Sequence, residues 1–550
     1  MRPSPVDGIP RPFAALRGEE VGLGLYGLRV ERDTLQLLQQ SVESMREQSL
    51  RLGEEKKPED KGEDGEVDHP MDKWLNPARL LTPVIVCMAL VWLMVPGVGL
   101  FYSGLLRRKN ALSMIQLAML GVAVASFQWF FWGYSLAFSE TANAYIGDLK
   151  HFGLMNVLEA PSMGSTRLPA ILFCAYQSCF AMITIGITAG GFAERSKIGP
   201  VMLFMFIWLT IVYCPIACWT WNANGWTFKL GGLDFAGGSP VHISSGTASL
   251  AIALYLGKRR GYGTERLAYK PHNTTFIVLG TVFLWFGWFG FNGGSALSAN
   301  MRAVQACIVT NLAASVGGIT WMLLDWRLDH KLSAVGFCSG AICGLVGITP
   351  AAGYVGSPAA VAIGVVTAVG ANFATKIKYF VRIDEALDVF ATHGVGGLIG
   401  CCLTALFADS RVAGFDGITA IPGGWINHNY IQLGYQIADA VASMAYSFVM
   451  TTIICWLLHF IPFCRLSCNA MIMSFLSRSL SRRSSTSSTS SGSSDQAQSR
   501  VEDGFNPSPA MYWHAPCATA PFYVSQREAR KIERNYQKML QKGIVEYART

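Results

Sequence analysis

The chain has 550 residues, of which 51% are hydrophobic and 15% are charged, and its formal net charge is +8. Long apolar segments recur between about Leu80 and Phe463, and each is close to the ~20 residues that a helix needs to cross a bilayer. This pattern excludes a string of soluble domains. The positive charges lie mostly in short loops and in the C-terminal tail, and this distribution also excludes a nucleic-acid-binding surface.

The membrane domain is predicted to cover residues 76–463 and to be entirely α-helical. Eleven apolar segments are long enough to cross the bilayer. Glycine recurs along them, and small residues let helices approach closely in lipid, so we expect a tightly packed bundle. The predicted spans are residues 80–106, 113–138, 169–192, 199–220, 237–256, 274–294, 303–325, 332–355, 358–377, 386–408 and 432–460.

The orientation follows from the lysines and arginines of the short loops, which are concentrated on the cytoplasmic side of membrane proteins. Taken alternately, the loops carry fifteen of these residues on one side and five on the other. We expect the first set to be cytoplasmic. Because eleven is an odd number, the N-terminal tail, residues 1–75, is then extracellular, and the C-terminal tail, residues 464–550, is cytoplasmic.

Both tails are predicted to be disordered. Residues 53–68 form a run of charges without residues for a core, and residues 477–499 are dominated by serine. The serine-rich segment suggests a kinase or another regulatory partner in the cytoplasm. Its arginines are also suited to contact with anionic lipid headgroups of the bilayer.

One acid and one imidazole mark the start of the fifth span: Asp234 lies just before it and His242 lies within it. Ionisable groups at membrane depth are costly, which makes both residues candidates for a functional site. Asp234 is explained equally well as the N-terminal cap of a helix. A second histidine, His393, lies five spans later with Asp388 nearby. If spans one to five and six to ten are inverted repeats, both histidines lie at the interface between the repeats.

Each of these candidates has a functional and a purely structural explanation. Two neutral imidazoles in contact can share one proton and form a relay, but His242 and His393 are also explained as unrelated packing residues. A tryptophan face can hold a cation, but it can also anchor a span at the membrane interface. Phenylalanines can line a path or simply pack. The aromatic candidates for lining a path are Phe180, Trp221, Trp226, Trp285, Trp288 and Phe291.

The sequence offers no constellation that would support an enzyme. It contains no His-Glu-x-x-His, no Walker A motif and no Gly-x-Ser-x-Gly. The fourteen cysteines are scattered through apolar segments without ligand spacing, so we expect them to pack as small apolar residues. We therefore expect no catalytic residues, no cofactor, no metal and no disulfide framework.

Four stretches of the chain carry a specific pattern. They are Gln177–Phe180 followed by Ala193–Arg195; Asp234–Gly238 followed by His242; Gly287–Ser295; and Asp388–Gly394. Together they resemble the ammonium transporter family (Amt/Mep/Rh), and most closely the fungal ammonium permeases. The resemblance covers roughly residues 76–463.

This resemblance implies a fold and an assembly. The family fold is an eleven-helix protomer, made of two inverted five-helix repeats and a final helix, that forms a homotrimer with one pore in each protomer. It also implies a multi-pass protein of the plasma membrane that takes up ammonium, or methylammonium, as a source of nitrogen.

The resemblance also implies roles for seven residues. Trp221 and Ser295 resemble the outer site that recruits ammonium, and Asp234 resembles the acid that supports it. Phe180 and Phe291 resemble a stacked phenyl gate. In the pore beyond that gate, the family has twin histidines, which His242 and His393 resemble.

The implied function is a channel-like transporter. Ammonium is recruited and deprotonated, ammonia passes an apolar pore, and the proton passes along the two histidines. This separation is physically sensible because an ion costs far more to move through a dry pore than a neutral molecule. Two alternatives remain open from the sequence: a sensor of external ammonium with secondary transport, and a gas channel of the Rh type.

Overall fold

The computed structural model describes residues 77–259, 262, 270–461, 464 and 466. Throughout these residues the regular elements are helices, and the one pair with strand-like hydrogen bonding is an isolated bridge between Pro161 and Pro169. The fold is thus all-α, as the sequence predicted. The extracellular and cytoplasmic tails proposed from the sequence lie almost wholly outside the described residues.

Eleven long helical segments follow one another along the described chain. Short helices and single turns of 3-10 helix occur between them, among them Trp226–Leu230 and Ser410–Ala413. The long segments are α1 (Pro77–Leu105), α2 (111–138), α3 (170–192), α4 (198–221), α5 (238–256), α6 (274–293), α7 (Met301–Asp329), α8 (Ala334–Ile348), α9 (Ser357–Phe380), α10 (390–407) and α11 (Gln432–Phe460).

Nine helices of the described chain are long and apolar enough to cross a membrane, namely α1–α4, α6, α7 and α9–α11. The remaining two are α5 and α8. The apolar helix α8 has 15 residues, and four serines and a histidine lower the hydropathy of α5. In a bilayer, helices satisfy their backbone hydrogen bonds internally, which makes this architecture suitable for a membrane protein.

Helices that the sequence predicts to correspond in two repeats pack against each other. Helix α1 lies along α6, and the start of α10 lies against α5. Glycines allow the close approach. A Cβ atom on Gly280 of α6 would lie 2.5 Å from the backbone nitrogen of Phe101 in α1. Small residues at such crossings let backbones come into contact.

Helices α5 and α10 begin in the same unusual way. Each starts with a π-helical turn, at Gly238–Ile243 and Phe390–Val395. Each turn follows a residue in the left-handed region, Gly237 with a φ of 117° and Asp388 with a φ of 54°. Short π turns inside helices occur frequently at functional sites, because the extra residue shifts the side chains that follow. His242 and His393 each lie five residues after the left-handed residue.

Candidate functional site

A cavity of about 710 Å³ lies among α1, α3 and α5–α10. Its wall includes His242, His393 and Phe291, and it extends to the loops that follow α5 and α9. Between these two regions the lining is largely apolar, with side chains such as Val98 and Ile183. The paired imidazoles therefore belong to a cavity that is apolar over most of its length.

The two histidines are in direct contact. Their Nδ1 atoms lie 3.3 Å apart and both side chains are buried. A hydrogen bond between two Nδ1 atoms needs a proton on one ring and a free lone pair on the other, so the pair holds one proton between the rings. The Nε2 atom of His242 has no hydrogen-bond partner among the described residues. That nitrogen can bind a small hydrogen-bonding molecule in the cavity.

Aromatic rings fix the orientation of His242. Its imidazole stacks on Trp288, with ring centres 5.4 Å apart, and on Phe291, with ring centres 6.0 Å apart. The indole of Trp288 is itself held, because its Nε1 donates to the hydroxyl of Thr349 at 2.9 Å. The imidazole thus has a flat apolar wall on one side and a second imidazole on its Nδ1 edge.

The backbones of α5 and α10 cross beside the histidines at Gly246 and Gly394. A Cβ atom on Gly246 would overlap the backbone nitrogen of Gly394. We expect Gly246→Ala to destabilise the protein by about 1–3 kcal/mol, the usual cost of overpacking, and to separate the two imidazoles. Thermal unfolding of the purified protein measures this loss. Gly199→Ala is the matched control, since a Cβ at Gly199 meets nothing within 4 Å; equal melting temperatures for the two variants would contradict the close crossing.

Asp234 makes the contacts of a helix cap. Its carboxylate accepts hydrogen bonds from the backbone N–H groups of Gly237, Gly238 and Ser239 at 2.7–2.8 Å. Burial raises the pKa of Asp234 even though these three donors favour the ionised form. The contacts expected of a helix cap, one of the two explanations offered by the sequence, are therefore present in the structure. Asp234 lies eight residues before His242.

Helix α10 has the equivalent of Asp234 in Glu385. This residue lies eight residues before His393, and its Oε1 accepts the backbone N–H of Phe390 at 2.7 Å. Asp388, which the sequence drew attention to, corresponds instead to the left-handed residue Gly237, and its carboxylate binds Lys378 at 2.5 Å. Glu385 was missed from the sequence, although the shared spacing of eight residues could have identified it.

Phe180 and Phe291 face each other on α3 and α6. Their ring centres are 4.3 Å apart, with an angle of 32° between the planes, and both side chains are buried. The hydroxyl of Tyr176, one turn before Phe180, donates to the carbonyls of Gly290 and Phe291, each at 2.9 Å. Tyr176 thereby ties the two helices together at the phenyl pair, a role that the sequence did not suggest.

Trp221 and Ser295 lie next to these phenyl rings. The ring planes of Trp221 and Phe180 are nearly perpendicular, and the ring centres are 5.8 Å apart. The Nε1 of Trp221 donates to the carbonyl of Asp234 at 3.1 Å. Ser295 donates to the carbonyl of Phe291 at 2.8 Å, which leaves lone pairs of its hydroxyl oxygen as acceptors. Trp226 packs against Trp219 instead. The structure therefore brings Trp221 into contact with the phenyl pair.

Helix α11 holds the start of α5 through a stripe of polar residues. The side chain of Gln436 bonds both the N–H and the carbonyl of Leu233, at 2.6 and 2.7 Å. Asp439 accepts the hydroxyl of Ser239 at 2.6 Å. The stripe was not predicted from the sequence, although its helical spacing is visible there. Its members are Gln432, Gln436, Asp439, Ser443, Ser447 and Thr451.

Comparisons with known proteins agree on one family. Residues 83–472 match the sequence model described as the Ammonium Transporter Family. Ammonium transporter 1 of Schizosaccharomyces pombe is 55% identical over 380 residues, which are 69% of this chain and 76% of the relative. Ammonium transporter MEP2 of Saccharomyces cerevisiae is 53% identical over 392 residues, which are 70% of this chain and 78% of the relative.

Solved structures give the same result. The crystal structure of Saccharomyces cerevisiae Mep2 has a TM-score of 0.69 and 52% identity, covering 71% of this chain and 90% of that one. The crystal structure of Candida albicans Mep2 has a TM-score of 0.69 and 50% identity, covering 72% of this chain and 88% of that one. At this level of identity the likeness extends beyond the fold to the sequence of the helices.

Proposed function

This chain belongs to the ammonium transporter family, and on that premise we propose that it carries ammonium across a membrane. Its relatives are named transporters, and the chain is a transporter and not an enzyme. The observation that carries the proposal is the contact of two imidazoles, His242 and His393, inside a largely apolar cavity. Sensing of external ammonium, the alternative left open by the sequence, is not favoured.

Recruitment begins at Trp221 and Ser295. Ammonium is strongly hydrated, so a site that removes its hydration shell must offer other partners for its charge and its hydrogen bonds. An indole face supplies cation–π attraction and a hydroxyl oxygen supplies a hydrogen-bond acceptor. The partial exposure of Trp221 and its contact with Phe180 support this assignment. Asp234 supports the site by fixing the backbone whose carbonyl holds the Trp221 indole.

The phenyl pair forms the gate of the path. Phe180 and Phe291 stack at 4.3 Å and offer no hydrogen bond to a passing ion. An unpaired charge costs much more to bury than a neutral polar molecule, so this barrier favours ammonia over ammonium and over potassium. Rotation of the two rings opens the path. Ammonium loses its proton before it reaches the gate, so the molecule that passes the rings is ammonia.

The proton takes the path of the histidines. His242 and His393 hold one proton between their Nδ1 atoms, and the free Nε2 of His242 can exchange a proton with a molecule in the cavity. A proton arriving on one ring therefore displaces one from the other. The pair moves charge through the apolar region without moving a bare ammonium ion through it.

The assembly and topology belong to the same proposal. Helices α5 and α8 join the nine long apolar helices to give eleven spans, arranged as two inverted repeats and a final helix. Three protomers form a homotrimer in the plasma membrane, with the loops rich in lysine and arginine in the cytoplasm. The N-terminus is then extracellular, the C-terminus is cytoplasmic, and the serine-rich tail is accessible to a kinase.

Uptake of labelled methylammonium tests the proposed function. The full chain is expressed in cells that lack their own ammonium permeases, and uptake is measured with and without competing ammonium. We expect saturable uptake that ammonium inhibits and potassium does not. Surface expression without any uptake above the parent cells would contradict the function.

Trp221→Ala is expected to weaken the apparent affinity for ammonium. A cation on an aromatic face gains about 0.5–2 kcal/mol, so the affinity should fall by about 2- to 30-fold. The inhibition of methylammonium uptake by ammonium measures it. Trp226→Ala is the matched control, because Trp226 packs on Trp219 and has no place in the proposed path. An unchanged affinity in Trp221→Ala, at normal surface expression, would rule out this cation site.

A further inference from the structure

Five charged residues line the cavity where it reaches the loops after α5 and α9. They are Arg259, Lys378, Asp384, Glu385 and Asp388. Four of them form two ion pairs: Arg259 contacts Asp384 at 2.7 Å, and Lys378 contacts Asp388 at 2.5 Å. Each charge in such a pair stabilises the ionised form of its partner.

Glu385 is different from the other two acids. In the described part of the chain, its carboxylate has no ion-pair partner, and it accepts a hydrogen bond from the backbone N–H of Phe390. Glu385 is buried, with 5% of its surface exposed. A buried carboxylate without an ion-pair partner is stabilised less in its ionised form than a paired carboxylate, so it binds a proton more readily.

The acid–base behaviour of Asp384 and Glu385 agrees with this difference. Although burial acts in the other direction, hydrogen bonds from Arg259 lower the pKa of Asp384. Burial and the neighbouring charge of Asp388 raise the pKa of Glu385 to about 7, against the opposing effects of the Phe390 N–H and Lys378. The titratable and charged groups that face Glu385 are Tyr102 of α1, Arg195 of the turn after α3, Lys378 of α9, and Asp384 and Asp388 of its own segment.

We propose that Glu385 receives the proton that leaves the histidine pair and passes it to the cytoplasm. The proposal rests on the proposed function, and it gives the relay an inner terminus. Glu385 lines the same cavity as His393 and is the counterpart, in the second repeat, of Asp234. An acid thus stands eight residues before each of the two histidines.

The transfer conserves every proton. An imidazole N–H of the histidine pair loses its proton to the cavity, and the Glu385 carboxylate gains one and becomes a neutral carboxylic acid. That acid then releases the proton to the cytoplasm and returns to the carboxylate form. The cavity is large enough for water, and the hydroxyls of Tyr102, Ser339, Thr375 and Thr392 on its wall offer hydrogen-bond partners for a bridging chain.

The direction of the pH dependence follows from the acceptor role. Glu385 accepts a proton only while it is ionised, which is the case above pH 7 and not below it, given its pKa of about 7. The ionised fraction of a group with this pKa falls about tenfold between pH 8 and pH 6. Inward current should therefore fall severalfold as the cytoplasmic pH falls through 7.

The test uses the full chain in proteoliposomes. Ammonium-evoked current is recorded at internal pH values between 6 and 8, with the external pH changed in parallel so that the gradient stays constant. We expect Glu385→Gln to carry at least about fivefold less current than the wild type at pH 8 and to lose the pH dependence. The ammonium concentration for half-maximal current should change by less than about twofold, because Glu385 lies beyond the recruitment site.

Glu385→Asp and Glu385→Asn form the matched pair. Both shorten the side chain by one methylene and disturb the contact to Phe390 equally, but only aspartate titrates. We expect aspartate to retain a pH-dependent current and asparagine to lose it, and this comparison also decides the question if Glu385→Gln does not assemble. Identical currents and pH profiles for the two would overturn the proposal. A wild type that gives no ammonium-evoked current at all would instead contradict the proposed function itself.

Discussion

Replacing His242 or His393 with alanine is expected to reduce ammonium-evoked current by about 100-fold or more. This is the lower end of what a positioned proton-transfer group contributes to a rate. The expectation follows from the 3.3 Å contact between the two Nδ1 atoms, because removal of either ring leaves the other without a partner for the shared proton. The current is measured in proteoliposomes across a range of pH.

The two histidines should also behave as one unit. Contacting residues are non-additive, so the double variant His242→Ala/His393→Ala should carry little less current than each single variant. A carboxylate at His242 is expected to retain some transport with a shifted pH dependence, since it can still exchange a proton. If both single variants carry wild-type current with wild-type selectivity over potassium, the relay is wrong and the histidines are structural.

Replacing Asp234 with alanine is expected to cost the folded protein several kcal/mol. Three backbone N–H groups, of Gly237, Gly238 and Ser239, lose their acceptor in a buried place. A hydrogen bond to a charged group contributes about 1.5–3 kcal/mol, and an unsatisfied buried donor is costly. We expect Asp234→Ala to melt at a much lower temperature or to fail to accumulate, and Asp234→Asn, which keeps one acceptor oxygen, to lie between it and the wild type.

An exposed acid supplies the control for that experiment. Glu159 lies in the loop between α2 and α3 and is exposed, so Glu159→Ala should change the stability by less than about 0.5 kcal/mol. Melting of the detergent-solubilised protein compares the variants. If Asp234→Ala were as stable as Glu159→Ala, the capping contacts would not be what holds the start of α5.

Much of the arrangement could be predicted from the sequence because it depends on the lengths of the apolar segments and on their order along the chain. Apolar segments give most of the helices within a few residues; for example, the predicted span 274–294 is observed as residues 274–293. The exception is the predicted span 332–355, whose helix ends at Ile348 and is followed by turns. The placement of His242 and His393 five spans apart predicted their meeting, and the structure brings them together. The family motifs likewise selected Phe180 and Phe291, whose ring centres lie 4.3 Å apart. The functions of these residues remain predictions.

What the sequence could not supply depends on hydrogen bonds at single residues. The spacing of eight residues before His393 could have drawn attention to Glu385, but only the structure shows that its carboxylate accepts the N–H of Phe390. The π-helical turns that aim the histidines need the left-handed backbone of Gly237 and Asp388, and aspartate in that conformation has no distinct sequence signal. The contacts of Gln436 with Leu233 join segments 203 residues apart, which no local pattern predicts.

Transport in which substrate and proton cross together but by separate paths is tested most directly by counting charge and substrate in the same vesicles. Uptake of labelled methylammonium and the accompanying current are recorded from one preparation of proteoliposomes containing the full chain, with potassium as the competing cation. We expect close to one positive charge for each methylammonium taken up and no potassium current. Uptake without charge, as in a gas channel of the Rh type, or a potassium current comparable to the ammonium current, would contradict it.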